Sequence, residues 1–280
     1  ELDVKFVYND FCGSNLSKYL VKESRKEGRV LVFLKPCDTY SFNQLLCEHR
    51  IIRDNVYVVG IPCNGMLDEG KMKHLVPELL GAEEDGETVH LTTYDDVPTT
   101  PRTELLLERC ENCKSRRHVV YDELLGEDGE VLDSHRFDEV ERLEAMTPDE
   151  RYAFWQGELS RCIRCNACRN VCPACTCEKC VFDNPESGVE NKAAANSFEE
   201  KLFHVIRAFH VAGRCTDCGE CSRVCPQNIP LHLLNRKFIS DINRLYGDYQ
   251  AGETDNGRSP LVNFNKGDGE PCDFDKGGRE

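Results

Sequence analysis

Eight cysteines in the second half of the chain follow one spacing twice. The first run is C-x2-C-x2-C-x3-C-P, from Cys162 to Pro173, and the second run repeats this spacing from Cys215 to Pro226. A [4Fe–4S] cubane needs four thiolates, and a tight loop can supply three of them while the fourth comes from elsewhere. The duplicated run therefore predicts two such clusters.

Runs of this kind, the bacterial ferredoxin pattern, exchange their fourth ligands: the first three cysteines of each run bind one cluster, and the fourth binds the other. Zinc sites generally use paired C-x2-C knuckles, which this pattern does not match. We therefore expect the ligands to be Cys162, Cys165, Cys168 and Cys225 for cluster 1, and Cys215, Cys218, Cys221 and Cys172 for cluster 2.

Four further cysteines could form a site in the first half. Cys37 in KPCD and Cys63 in GIPC each follow a buried apolar run, and Cys110 and Cys113 form a C-x2-C pair in CENC. Because the carboxyl ends of parallel strands meet at one edge of a sheet, the first two thiolates would be delivered to the same place. Two buried core thiols are the alternative there. The C-x2-C pair alone fits zinc, iron–sulfur or a redox dithiol.

Three more thiols crowd the segment PACTCEKC, namely Cys175, Cys177 and Cys180. They could supply three ligands of a further cluster, with the fourth from Cys12, from Cys47 or from a partner chain. They could also compete with Cys172 as ligands of the first two clusters. Free thiols are the third interpretation, and the spacing does not separate the three.

The elements that must position these residues differ between the two halves. Up to about residue 100, short β-branched runs alternate with helix-like stretches, which is typical of an α/β sheet with mostly parallel strands covered by helices. The expected strands are Val4–Tyr8, Arg29–Leu34, Val56–Ile61 and a short one near Thr88–Thr93. The expected helices are Asn15–Glu27, Thr39–Glu48 and Lys71–Leu80.

The composition shifts divide the chain into four parts. Residues 1–136 form the α/β domain, and residues 137–160 form a helical linker. Residues 161–246 form a mainly helical two-cluster ferredoxin module that ends in a helix over Leu231–Tyr246. Residues 247–280 are rich in glycine and acidic side chains, which predicts an extended C-terminal tail with Cys272 as a free thiol.

Composition excludes several classes of protein. The chain has 18 cysteines in 280 residues, mostly in close clusters, whereas disulfide scaffolds are typically short secreted chains. With 50 acidic against 35 basic residues and a net charge of −15, a nucleic-acid partner is not expected. No stretch reaches the roughly 18 apolar residues of a spanning helix. So many thiols favour a reducing cytoplasm.

The order of these motifs resembles the beta-subunit family of coenzyme F420-reducing hydrogenases and formate dehydrogenases. KPCD, GIPC and CENC, with Asp122 downstream, follow the family order. The resemblance implies that Cys37, Cys63, Cys110 and Cys113 hold a third [4Fe–4S] cluster, which in the family lies beside a flavin. The second half resembles bacterial formate dehydrogenase beta-like subunits and, in its helical style, heterodisulfide reductase subunits. Such proteins relay electrons inside multi-subunit complexes.

Three functions follow as hypotheses. The first is an electron-transfer subunit of an anaerobic oxidoreductase complex, with no catalytic residue of its own. The second is a flavin-bearing subunit that uses FAD to pass hydride from a deazaflavin or nicotinamide to the clusters. No flavin-binding motif can be assigned residue by residue. The third is a zinc-stapled interaction protein without a redox role.

Overall fold

The structure is a computed structural model that describes residues 6–184, 186, 197–263, 265, 266 and 268. Its helices are α1 (Ser17–Glu23), α2 (Pro36–Cys47), α3 (Glu69–Leu75), α4 (Glu108–Glu111), α5 (Asp138–Glu144), α6 (Pro148–Ser160), α7 (Ala167–Val171), α8 (Ser197–His210), α9 (Glu220–Arg223) and α10 (Leu231–Tyr246). Its strands are β1 (Val30–Leu34), β2 (Val56–Gly60), β3 (Gly81–Asp85), β4 (Thr88–Thr92), β5 (Thr99–Pro101) and β6 (Glu123–Leu124).

The predicted parallel sheet is present, with strand order β1-β2-β6. Strands β1 and β2 pair in parallel from Val30 opposite Val56 to Leu34 opposite Gly60. Their apolar side chains form a core with Phe42 and Leu45 of α2, both fully buried. Burial of these β-branched runs under a covering helix is the usual arrangement of parallel strands. The carboxyl ends of β1 and β2 therefore lie side by side.

The prediction of a first strand at Val4–Tyr8 is wrong in its described part. Residues 6–8 form no strand, and residues 4 and 5 lie outside the described residues. Side chains hold this segment instead: the Phe6 ring packs against Phe33 with centroids 4.7 Å apart, and the Tyr8 hydroxyl donates to the Pro62 carbonyl at 3.1 Å.

A second, antiparallel sheet with order β3-β4-β5 was not expected beyond its middle strand. The sequence of β3, GAEED, is mostly polar and exposed, so it lacks the alternating pattern that marks a half-buried strand. Backbone pairing with β4 stabilises it, through a tight turn in which Gly86 takes a φ of 64°. Glycine adopts this left-handed conformation without steric cost.

Helix α2 begins earlier than predicted. It starts at Pro36, and proline suits the first helical position because its missing N–H would have no intrahelical partner there. Cys37 therefore lies in the first turn of α2 and not in a free loop. Helix α3 also begins and ends earlier than predicted, stopping at Leu75 two residues before Pro77.

The second half is helical, and α10 has the predicted bounds. Helices α5 and α6 occupy the segment 137–160 and are separated by Thr147, whose hydroxyl caps α6 by accepting from the Glu150 amide. Leu159 of α6, Phe203 of α8 and Leu231 of α10 share one hydrophobic core with Cys168 and Cys221. That core holds the cysteine loops in place.

The described part of the tail lies against the rest of the chain. The Tyr249 hydroxyl donates to the Gly213 carbonyl at 2.9 Å, and the Cys47 thiol donates to the Thr254 carbonyl at 3.4 Å. At Gly252 a side chain is excluded, because a Cβ would lie 1.8 Å from the Tyr40 carbonyl oxygen. Cys272, predicted to be a free thiol, lies outside the described residues.

Candidate metal centres

The two cysteine runs share an unusual backbone. Arg164 and Asn166 in the first run have φ values of 55° and 62°, and Asp217 and Gly219 in the second have 58° and 65°. These residues stand two and four places after the first cysteine of each run, so the internal repeat extends from sequence to conformation. Left-handed residues let a short loop curl tightly, which brings its cysteines to one side. In the first loop the Arg164 amide donates to the Cys162 sulfur at 3.4 Å.

Gly219 meets a second requirement. A Cβ at this position would lie 2.6 Å from the Cβ of Arg109. Arg109 in turn donates to the Cys218 carbonyl at 2.8 Å and forms a buried ion pair with Glu220 at 2.5 Å. Helix α4 of the first half is thus bound directly to the second cysteine loop.

The structure brings the thiols together across the repeats. Burial raises the pKa values of Cys215, Cys218 and Cys221, and the charge of nearby Cys172 raises them further. Cys168, with its pKa raised to about 12 by burial, has Cys221, Cys162 and Cys225 as charge neighbours. Cys172 thus lies near the cysteines of the second run, and Cys225 lies near Cys168 of the first. Cys165 is exposed.

Polar side chains of α8 and α10 contact these cysteines. The His204 Nε2 atom lies 3.2 Å from the Cys162 sulfur, and the Asn235 amide nitrogen lies 3.6 Å from the Cys221 sulfur. Burial lowers the pKa of His204 to about 3, so the ring is neutral and can carry its proton on the nitrogen that faces sulfur. Hydrogen bonds to ligand sulfur are one of the means by which a protein sets the potential of a cluster.

Arg207 lies between the two cysteine runs, and one of its buried N–H groups has no hydrogen-bond partner among the described residues. Its Nη2 atom donates to the Cys168 carbonyl at 3.2 Å, while its buried Nε atom has no partner among the described residues. Burial alone would lower its pKa, but the charges of Cys172, Cys221 and Cys168 raise it. Buried donors are nearly always paired, so a sulfur-rich anionic group between the loops fits this site.

The four cysteines of the expected third site line one cavity at the carboxyl ends of β1 and β2. Cys37 comes from the first turn of α2, Cys63 follows β2, Cys110 belongs to α4 and Cys113 follows it. The same cavity is lined by Asp217 and Cys218 of the second cysteine loop. The sheet edge and the ferredoxin loop therefore share a wall.

Cations surround this cavity. Lys35, Arg109 and Lys114 all line it, and Lys35 pairs with the fully buried Asp38 at 2.8 Å. Burial raises the pKa of Cys63 to about 11, so a free thiol there would stay protonated at neutral pH. Metal ligation requires the thiolate, and the neighbouring positive charges favour it. The residues present therefore fit an anionic iron–sulfur group.

Among the described residues, no three Cys, His, Asp or Glu side chains converge at the spacing of a single metal ion. In a cubane each thiolate binds a different iron, so its ligands stand farther apart than those of one ion. Asp122, the acidic residue of the family order, lies outside the cavity: it pairs with Arg53 and accepts from the Val58 amide at 2.7 Å.

Cys175, Cys177 and Cys180 line a different cavity, beyond the first cysteine run. Cys12 and Cys47 do not line it: Cys12 contacts the Asn9 side chain, and Cys47 contacts the tail. Neither of these two suggested fourth ligands is therefore near the set that it was meant to complete.

Sequence reasoning missed the polar residues that support the thiols. Arg109, His204, Arg207 and Asn235 were not singled out. For α8 a signal existed, because His204 and Arg207 are three residues apart and share the apolar face with Phe203. A buried polar pair on an amphipathic face indicates partners in the core.

Comparison with known proteins agrees with this picture. The family model of a 4Fe–4S dicluster domain matches residues 158–229. The beta subunit of an F420-dependent formate dehydrogenase from Methanocaldococcus jannaschii is 23% identical over 91% of this chain and 80% of its own length. A second such beta subunit, from Methanococcus maripaludis, is 22% identical over 61% of this chain and 60% of its own length.

An uncharacterized iron–sulfur protein of M. jannaschii is 30% identical over 41% of this chain and 22% of its own length. No helix in the described ranges has the length and apolar character needed to cross a bilayer. The matches confirm that the chain is a homologue of formate dehydrogenase beta subunits and that its second half contains a 4Fe–4S dicluster domain.

Proposed function

We propose that this protein is an iron–sulfur electron-transfer subunit of a multi-subunit oxidoreductase of the hydrogenase, formate dehydrogenase or heterodisulfide reductase type. Residues 161–246 would hold clusters 1 and 2 with the exchanged ligands. Residues 1–136 would hold the third with Cys37, Cys63, Cys110 and Cys113. Held by these thiolates, [4Fe–4S] groups take up and release single electrons. A thiol-rich chain of this kind would function in a reducing cytoplasm.

One observation carries the proposal. Cys218, an expected ligand of cluster 2, lines the same cavity as the four cysteines at the sheet edge. Arg109 reinforces this junction, because it donates to the Cys218 carbonyl and lines the cavity as well. Cys218 therefore belongs to the expected ligands of cluster 2 and also lines the expected third site. The two sites are adjacent, which suits electron hopping between them.

The remaining residues adjust the environment and make or break no substrate bond. Lys35, Arg109 and Lys114 offset negative charge at the sheet edge, and Arg207 does so between the cysteine runs. His204 and Asn235 contact ligand sulfurs. Together with burial, these contacts would set the potential of each site.

The charge of the chain suggests how it meets its partners. A net charge of −15 becomes more negative when anionic clusters are bound, so we expect a partner subunit with a basic docking face. Association should weaken as salt rises, because salt screens surface charges. Association that is insensitive to salt would contradict this picture.

The relatives favour a second candidate function. Two of them are named F420-dependent formate dehydrogenase beta subunits, and one aligns over 91% of the chain. In this alternative the protein carries FAD and exchanges hydride with a deazaflavin or nicotinamide. Acid extraction of anaerobically purified protein followed by flavin fluorescence tests it. About one flavin per chain supports the alternative, and none contradicts it.

The proposed relay is tested by metal analysis. Anaerobically purified protein should be brown and contain about twelve or more iron atoms per chain, with equal acid-labile sulfide, from at least three cubanes. A colourless protein with zinc and no labile sulfide would instead support a zinc-stapled interaction protein.

A further inference from the structure

The segment PACTCEKC forms one wall of a cavity that the relay does not use. Cys175, Cys177 and Cys180 all line it, and its volume is about 350 Å³. His210, at the end of α8, also lines it, and Cys177 is exposed. This cavity therefore combines three thiols from one short segment with an imidazole from a helix end.

We propose that this cavity holds a further [4Fe–4S] cluster, ligated by Cys175, Cys177, Cys180 and His210. The proposal deepens the proposed electron relay and rests on it. A cubane takes three ligands from one loop and the fourth from elsewhere, which is how these residues are arranged. Imidazole replaces thiolate as an iron ligand in some iron–sulfur centres.

The charges around the cavity match an anionic occupant. Lys18, Arg169, Arg207 and Arg214 line it, against Glu178 and Asp183. Arg169 pairs with Asp183 at 2.9 Å, and Arg214 pairs with Glu48 at 2.5 Å.

Lys18 and Arg207 have no carboxylate partner among the described residues. Lys18 donates instead to the Cys175 carbonyl, and Arg207 donates to the Cys168 carbonyl at 3.2 Å. In a chain with a net charge of −15, two such cations beside three thiols mark a place that attracts negative charge.

The position of the cavity suits a relay. The Cys175 amide donates to the Cys172 carbonyl at 3.1 Å, so this segment is joined through its backbone to the fourth cysteine of the first run. Cys172 is the expected fourth ligand of cluster 2, whose Cys218 borders the sheet-edge cavity. Cluster 2 would then lie between two further sites, and the outer one would open to solvent where a partner can exchange electrons.

Iron and sulfide analysis of matched variants tests the proposal. Wild-type protein should contain about sixteen iron atoms per chain, and Cys177→Ser and Cys180→Ser should each contain about twelve, one cubane fewer. Cys47→Ser is the control, because its thiol lies outside the cavity. The proposal is overturned if the wild type contains about twelve or if both variants keep the wild-type count.

A second readout covers variants that fold poorly. In the wild type, exposed Cys177 should resist alkylation under anaerobic conditions and react after the iron is chelated. Ready alkylation of Cys177 in iron-loaded protein would contradict ligation and show that Cys177 is a free thiol.

Substitution of His210 tests the fourth ligand. His210→Cys should keep the iron and change the EPR spectrum of one cluster. If His210→Ala changes neither the count nor the spectrum, the imidazole is not a ligand.

Comparison of Cys63→Ser with Cys180→Ser distinguishes failure of the further cluster from failure of the proposed relay. Cys63→Ser should also lose about four iron atoms, so Cys63→Ser with Cys180→Ser should reach about eight. If Cys63→Ser loses iron and Cys180→Ser does not, the proposed relay is supported and the further cluster is contradicted. If neither variant loses iron, both proposals fail.

Discussion

The duplicated cysteine runs and the sheet-edge cavity bring thiols together by opposite means. In the runs, three thiols come from seven consecutive residues, and two left-handed residues curl each loop. At the sheet edge, thiols from three distant segments meet because β1 and β2 end side by side and α4 packs beside them. The first design depends on local conformation, and the second depends on the whole fold. The two should therefore fail differently.

The largest expected effect is the loss of a whole site at the sheet edge. Cys63→Ser removes one of the four thiolates, so the protein should lose about four iron atoms while the ferredoxin module keeps its clusters. Iron analysis with EPR measures both. Cys12→Ser, whose thiol lies outside the sheet-edge cavity, is the control and should lose none. An unchanged iron content in Cys63→Ser would contradict a third cluster ligated by Cys63.

The junction between the two regions should be the next most sensitive feature. Glu220→Gln leaves the buried guanidinium of Arg109 without its carboxylate partner, and removing one member of a buried pair costs about 3–5 kcal/mol. Thermal unfolding measures the loss as a lower midpoint.

Glu139→Gln is the matched control for Glu220→Gln, because it breaks an exposed pair with Arg142 that contributes about 0–1 kcal/mol. Equal midpoints for the two variants would show that the buried pair does not hold the regions together.

Two glycine-to-alanine substitutions compare a left-handed loop position with a helical position. Gly219→Ala places a Cβ on a left-handed residue, which costs about 1–2 kcal/mol, and presses it against Arg109. Gly157→Ala in α6 meets nothing within 4 Å and should stabilise the protein by about 0.5–1 kcal/mol. Thermal midpoints that shift in opposite directions are expected. A shift in the same direction would contradict the role given to the loop conformation.

The smallest predicted effect concerns potentials within the module. Arg207→Met removes the buried cation between the two runs, which should lower the potentials of clusters 1 and 2 by about 60 mV, a tenfold change for one electron. The sheet-edge cluster should change less, because Arg207 does not line its cavity. Redox titration monitored by EPR measures all of these. Exposed Arg244→Met is the control, and equal shifts in both variants would contradict the prediction.

The same contrast explains what the sequence could predict. Spacing alone indicated the ferredoxin ligands, because three of each set are neighbours in the chain. Cys37 and Cys63 could be placed at one edge because each follows a strand with a clear apolar pattern. The approach of Cys110 and Cys113 depends on how α4 packs, which no local pattern encodes, and their inclusion came from family resemblance.

Other features could not be predicted from the sequence, because they depend on contacts between distant parts of the chain. Strand β3 is polar, so only its backbone pairing with β4 makes it a strand. Residues 6–8 are apolar, which suggested a strand, but tertiary contacts of their side chains fix them outside the sheet: the Phe6 ring packs on Phe33, and the Tyr8 hydroxyl donates to the Pro62 carbonyl. Arg109 and Glu220 are 111 residues apart, and their pairing exists only once both regions have folded.

The central claim is that the sheet-edge site and the ferredoxin module form one electron relay through the wall that contains Cys218. EPR of the fully reduced protein tests this directly, because neighbouring paramagnetic clusters broaden each other's signals. We predict a broadened, interacting spectrum for the wild type and a simpler one for Cys63→Ser, with the signals of clusters 1 and 2 retained. A wild-type spectrum equal to the sum of isolated clusters, unchanged in Cys63→Ser, would contradict the relay.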